Sequence, residues 1–137
     1  MKITVLGSGG WGTALALLLL ENGNDVTLWS YSAQEVAVIE QTGENPLLKG
    51  VPIPGALKLT CDMQAARDCE VVVLATPSFA VRSTAHQLAS VVRDGTILVS
   101  VSKGIEKDTS LRLSQVIESE IGERCPVVVL SGPSHAE

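Results

Sequence analysis

Apolar residues along this chain gather in short runs, and between those runs they recur at helical spacing. The runs KITVL (2–6), DVTLW (25–29), EVVVLA (70–75), TILVSV (96–101) and VVVL (127–130) are rich in Val, Ile and Thr, which predicts strands. Several are apolar on both faces. A half-exposed strand alternates apolar with polar, so these runs fit a parallel sheet covered on each side. The intervening stretches read as helices: WGTALALLLLENG from Trp11, residues 35–41, residues 81–92, and a segment with Leu113, Val116, Ile117 and Ile121. The last two carry the i, i+3, i+4, i+7 stripe of a helix with one buried face. Strand and helix in alternation predict an α/β fold, a Rossmann-type doubly wound, mainly parallel sheet with helices on both faces. Residues 43–56, GENPLLKGVPIPGA, break the alternation and read as one long loop that covers a site or fills an edge. The chain closes on VVVLSGPSHAE, a strand and a Gly-Pro turn with no helix to follow, as expected of a piece of a longer protein.

The first junction carries chemistry. In VLGSGGWGTA, Gly7, Gly9 and Gly12 match G-x-G-x-x-G between the first strand and a helix opening at about Gly10. In a dinucleotide-binding fold the first glycine makes the turn and the second admits the pyrophosphate. The third lets helix and sheet pack closely. Backbone N–H groups at the helix start, aided by its dipole, then hold the diphosphate, which makes Gly7, Ser8, Gly9, Gly10, Trp11 and Gly12 the candidate cradle. An acid about 20 residues further on usually binds the adenosine ribose. Ser30, Tyr31 and Ser32 stand there instead, with neither an acid to repel a 2′-phosphate nor an arginine to attract one. Their hydroxyls can bond either ribose, so NAD and NADP both remain open, and Ser32 also reads as a helix cap.

Two later junctions fall on the same edge of the sheet. Thr76, Pro77 and Ser78 follow the strand EVVVLA, and Ser102, Lys103 and Gly104 follow TILVSV. Ligands of open α/β sheets lie beyond the carboxyl ends of strands, where Thr76, Pro77 and Lys103 would meet them. Lys103 there either donates to a substrate oxygen or lies in solvent. His135, without an identifiable carboxylate partner, reads as a loop residue.

Composition narrows the classes. The chain has 137 residues, 45% hydrophobic and 18% charged, which suits one compact domain. A formal net charge of −5 supplies no basic stripe for nucleic acid or anionic lipid, so neither is expected as a partner. No apolar run approaches the ~20 residues of a membrane span, and the start resembles no secretion signal, which makes the cytoplasm the expected location. Cys61, Cys69 and Cys125 are odd in number and lack C-x-x-C spacing, so they read as small buried hydrophobes rather than disulfides or a metal site. His86 and His135 are too few and too far apart for one, so no metal is expected.

Taken together, GSGGWGTALA, ATPS, SKGIE and SGPSHAE, in this order and spacing, resemble the bacterial-type NAD(P)-dependent sn-glycerol-3-phosphate dehydrogenases over the whole of residues 1–137. The resemblance implies an N-terminal dinucleotide domain, here residues 1–137, and a helical C-terminal substrate domain that this sequence lacks. It implies reduction of dihydroxyacetone phosphate to sn-glycerol 3-phosphate with NAD(P)H, feeding phospholipid synthesis. By the same resemblance, Gly10, Trp11, Tyr31 and Ala136 contact the cofactor, and Lys103 touches cofactor and substrate as the catalytic group. Gly132 and Ser134 contact the substrate. A second catalytic lysine belongs to the missing domain, so these residues alone are expected to bind dinucleotide without efficient turnover. Three departures stand out. Leu47 and Lys49 replace a Tyr-Leu-Pro pattern, Tyr31 stands where His or Arg is common, and His135 where Phe is usual. Oligomeric state is open, with a homodimer expected of the full-length protein. The alternatives are a related reductase of another small ketone or acid, and a non-catalytic NAD(P)-sensing module.

Overall fold

The computed structural model describes residues 1–131. Six parallel strands form one sheet in the order β5-β2-β1-β6-β7-β8. They are β1 (Lys2–Leu6), β2 (Asp25–Trp29), β5 (Lys58–Thr60), β6 (Val71–Leu74), β7 (Ile97–Ser100) and β8 (Val127–Val129). A separate antiparallel pair, β3 (Glu44–Asn45) and β4 (Leu48–Pro52), stands beside it. The helices are α1 (Gly10–Glu21), α2 (Ala33–Thr42), α3 (Val81–Ala89) and α4 (Leu113–Ile121).

Period-2 alternation sends successive strand residues to opposite faces, and both faces are apolar. Ile3, Val5, Val26, Leu28 and Val73 pack with Ala16 of α1 on one side. Leu6, Val72, Leu74 and Leu98 pack with Val81, Ala85 and Leu88 of α3 and Val116 and Ile117 of α4 on the other. Leu6, Leu74, Leu88 and Leu98 are fully buried, each contributing about 1.5–3 kcal/mol. Two cores on one sheet therefore hold the strand ends, where loops gather, in fixed register.

Three expectations change. The long loop at 43–56 contains the β3–β4 hairpin, and β5 just beyond it becomes the outer strand beside β2. Three residues are too few to display a period, which is why β5 left no signal. The helix expected over 81–92 ends at Ala89, because the amides of Val91 and Val92 both turn back to the Leu88 carbonyl. Val91 and Val92 stay buried, so the apolar stripe outlasts the helix. Finally, Cys69 and Cys125 are buried but Cys61 is exposed on the turn after β5. No helix among the described residues is long and apolar enough to cross a membrane.

Candidate functional site

Strand order reverses between β1 and β6, and the carboxyl ends of these two strands create the crevice that open α/β sheets offer to ligands. The chain leaves β1 through Gly7, at φ 124°, a conformation side chains rarely adopt. A Cβ on Gly7 would stand 2.7 Å from the Ala75 carbonyl oxygen, and one on Gly12 would stand 2.1 Å from the Gly7 carbonyl oxygen. These two glycines let loop, helix and the end of β6 close on each other. Gly9 differs: a Cβ there meets nothing within 4 Å. Gly9 is also the N-cap of α1 and supplies no side-chain cap, so no capping side chain satisfies the first-turn amides. Thr76, at the same crevice, is 6% exposed, and its hydroxyl has no hydrogen-bond partner among the described residues. Such an orphan costs about 1–3 kcal/mol.

Two residues brace the glycine loop from a distance. Asn45, buried on the hairpin, donates from Nδ2 to the Ser8 carbonyl and to Thr13 Oγ1, each at 2.8 Å. The hairpin thereby docks on the loop, and the Leu47 carbonyl comes so near Gly10 that a Cβ there would lie 2.8 Å from it. Glu35 of α2 accepts hydrogen bonds from Ser8 Oγ at 2.7 Å and Ser30 Oγ at 2.8 Å. Ser32 caps α2 as expected, accepting from the Glu35 amide at 3.3 Å. Ser30 is 1% exposed and its hydroxyl is committed to Glu35, which removes it from the ribose-binding role allowed by the sequence.

Lys103 is exposed in the loop after β7. Ser102, preceding it, donates to the Thr76 carbonyl at 2.6 Å, and Gly104 approaches Ser78, so the loops after β6 and β7 meet. Beyond Lys103, Glu106 takes a forked pair of hydrogen bonds from Arg82 of α3, 2.7 Å from Nε and 2.8 Å from Nη2. Arg82 also donates to Glu120 of α4 at 2.8 Å, and His86 Nδ1 lies 2.9 Å from the same carboxylate. The Arg82 bonds, with help from Thr109, hold the Glu106 carboxyl down to about 2. His86 and then Arg82 lower that of Glu120, while the two carboxylates raise Arg82. Burial pushes the Cys69 thiol up. The ion network anchors the Lys103 loop to both helices on that face of the sheet.

Comparison with known proteins decides what this junction belongs to. The family described as NAD-dependent glycerol-3-phosphate dehydrogenase N-terminus matches residues 2–137. The chain belongs to this family. It is 43% identical over 140 residues to the glycerol-3-phosphate dehydrogenase [NAD(P)+] of Fusobacterium nucleatum, covering 100% of this chain and 42% of that protein. It is 47% identical over 138 residues to that of Moorella thermoacetica, covering 99% of this chain and 41% of that one. The crystal structure of glycerol-3-phosphate dehydrogenase from Coxiella burnetii superposes with a TM-score of 0.88 at 35% identity, covering 97% of this chain and 41% of that one. The chain thus spans about two fifths of the length of the relatives it matches.

Within the glycerol-3-phosphate dehydrogenase framework, the fold brings Gly7, Ser8, Gly9, Gly10, Trp11, Gly12, Thr76, Pro77 and Lys103 to the carboxyl edge of the sheet. Trp11 and Tyr31 are both exposed there, Tyr31 just past β2. Gly132, Ser134, His135 and Ala136 lie outside the described residues. Asn45 and Glu35 were missed in the sequence because their partners lie 37 and 27 residues away from them. Glu35 alone left a trace, as an acid roughly 20 residues beyond the glycine motif. Two concavities, one under Ile39 and Ile53 and one over Arg82 and Glu120, are lined by neither the glycine loop nor Lys103. Among the described residues no cluster of His, Cys, Asp and Glu has the makings of a metal site.

Proposed function

We propose that residues 1–137 are the dinucleotide-binding domain of a cytoplasmic enzyme interconverting dihydroxyacetone phosphate and sn-glycerol 3-phosphate with NAD(H) or NADP(H). A helical domain outside this sequence completes the substrate site. The single observation that carries the reading is the space over Gly9, open above an uncapped helix start and walled by Gly7 and Gly12, whose own Cβ positions are blocked. A diphosphate fits that opening and the amides around it. The unpartnered Thr76 hydroxyl marks the inner wall of the same crevice. Family membership and the names of the relatives support the choice of cofactor and substrate.

The bound nicotinamide supplies the hydride; the chain supplies geometry and charge. Gly9, Gly10, Trp11 and Gly12 hold the diphosphate through main-chain donors, and Tyr31 offers an aromatic face to the adenosine end. Thr76 and Pro77 line the path toward the reacting end. Lys103, anchored through Glu106 and Arg82, presents an ammonium to a substrate oxygen. Its charge opposes the negative charge that grows on the carbonyl oxygen as that carbon is reduced. Ala136 contacts the cofactor, and Gly132 and Ser134 the substrate, in the same reading.

Titration of this chain with NADH, followed by nicotinamide fluorescence, is the direct test. Saturable binding is expected, and a flat response to both NADH and NADPH up to roughly millimolar concentration removes the proposal. In the full-length protein, Lys103→Ala should lower kcat for dihydroxyacetone phosphate reduction by about 10²-fold or more. An unchanged rate removes Lys103 from catalysis.

A further inference from the structure

We propose that Glu35 makes this chain selective for NAD(H) over NADP(H). The inference rests on the dinucleotide reading above and adds the specificity that the sequence left open. Strand β2 ends without the acid that usually receives the ribose hydroxyls, since Ser30, Tyr31 and Ser32 follow it. The fold delivers a carboxylate to that place from the first turn of α2 instead. Glu35 Oε2 accepts from Ser8 Oγ at 2.7 Å and from Ser30 Oγ at 2.8 Å. Ser8 stands between the first two glycines of the motif and Ser30 directly follows β2. These two segments bracket the adenosine ribose in this architecture, so the carboxylate that bridges them is beside the 2′ position.

The side chain is held there. Ser8 is 7% and Ser30 1% exposed, so both hydroxyls are locked in the protein and directed at one oxygen. The Ser32 amide bonds to Ser30 Oγ at 3.2 Å and Ser32 Oγ receives the Glu35 amide at 3.3 Å, which fixes the backbone that carries Glu35. Oε1 makes no hydrogen bond among the described residues and is open to a 2′-hydroxyl donor. A carboxylate only accepts, so it suits a ribose hydroxyl and offers nothing to a phosphate except repulsion. Residues 30–36 contain no lysine or arginine to offset that charge. The hydroxyls of Ser8 and Ser30 are already committed to the Glu35 carboxylate and are not free to donate to a 2′-phosphate.

The test measures the affinity of the 137-residue chain for NADH and NADPH by fluorescence titration, in wild type and in Glu35→Gln. Gln keeps an oxygen that accepts from both serines and removes the charge. Wild type should bind NADH about tenfold or more tighter than NADPH. In Glu35→Gln the gap should narrow severalfold, chiefly through tighter NADPH binding. A second measurement needs no variant: raising salt screens the like-charge contact, so the wild-type gap should shrink between low and high ionic strength. Equal wild-type affinities overturn the proposal, as does a preference that neither salt nor a folded Glu35→Gln alters. Absence of binding by either dinucleotide instead overturns the dinucleotide reading beneath it, so the two failures are distinguishable.

Discussion

A methyl group on Gly12 would stand 2.1 Å from the Gly7 carbonyl oxygen and 3.3 Å from Ala75 Cβ, whereas one on Gly9 meets nothing within 4 Å. The same residue type in one motif therefore answers two demands, close packing at Gly12 and access at Gly9. Gly12→Ala should destabilise the chain by about 1–3 kcal/mol, because backbone on the neighbouring turn must move to admit the methyl. Gly9 is at φ −68° and ψ 177°, extended backbone that valine tolerates. Gly9→Val should thus keep the denaturant midpoint within about 1 kcal/mol of wild type and lose dinucleotide binding. Urea melts beside NADH titrations check both, and a Gly9→Val chain that still binds removes the diphosphate from this position. The turn at Gly7 and the close packing at Gly12 were legible in the sequence because the motif is local, spanning one strand end and one helix start. Ser30 was not, since its hydroxyl turns to the Glu35 carboxylate, whose position is set by its second bond, to Ser8, 27 residues away.

Two helices and a loop meet at Arg82, which joins α3 to Glu106 of the Lys103 loop and to Glu120 of α4. The Glu106 carboxyl falls from its ordinary 4.5 to about 2, chiefly through the Arg82 hydrogen bonds. A depressed folded-state value means that the contribution is complete above the unfolded value and is lost as pH falls through the folded one. Stability supplied by this contact is therefore present above about pH 4.5 and declines from there toward pH 2. Glu120 is lowered as well and acts in the same direction. Glu106→Gln should flatten the acid limb of the stability curve, measured by urea melts between pH 6 and pH 3. Identical slopes in the two proteins would show that the fork contributes nothing to folding. Most elements in this network were readable from periodicity, and the stripe of Leu113, Val116, Ile117 and Ile121 lies buried along α4. The hairpin and β5 were not, because a two-residue strand and a three-residue strand take their identity from the neighbours that pair with them.

Over the whole molecule, α1 covers one face of the sheet while α3 and α4 cover the other, and the order reverses between β1 and β6. Strand and helix alternation carried that topology in the sequence, since right-handed crossovers leave few other arrangements for five apolar runs. The site follows from it: Gly7 of the first junction lies so close to Ala75 and Thr76 of the later one that a Cβ would collide with their backbone, so a ligand in the crevice bridges both halves of the sheet. A ligand that binds only the folded form adds RT ln(1 + [L]/Kd), about 2.7 kcal/mol at a hundredfold excess over Kd. With an unfolding entropy of about 2.1 cal/mol/K per residue near 60 °C, a chain of 137 residues should gain roughly 9 °C in Tm. Thermal melts with NADH at that excess measure the gain, and Gly9→Val under identical conditions should show none. Because the bridge spans β1 and β6, the shift should move the unfolding of the sheet as one transition, read at the far-ultraviolet circular dichroism band. A rise confined to one probe, or an equal rise in Gly9→Val, would place the nucleotide elsewhere on the molecule.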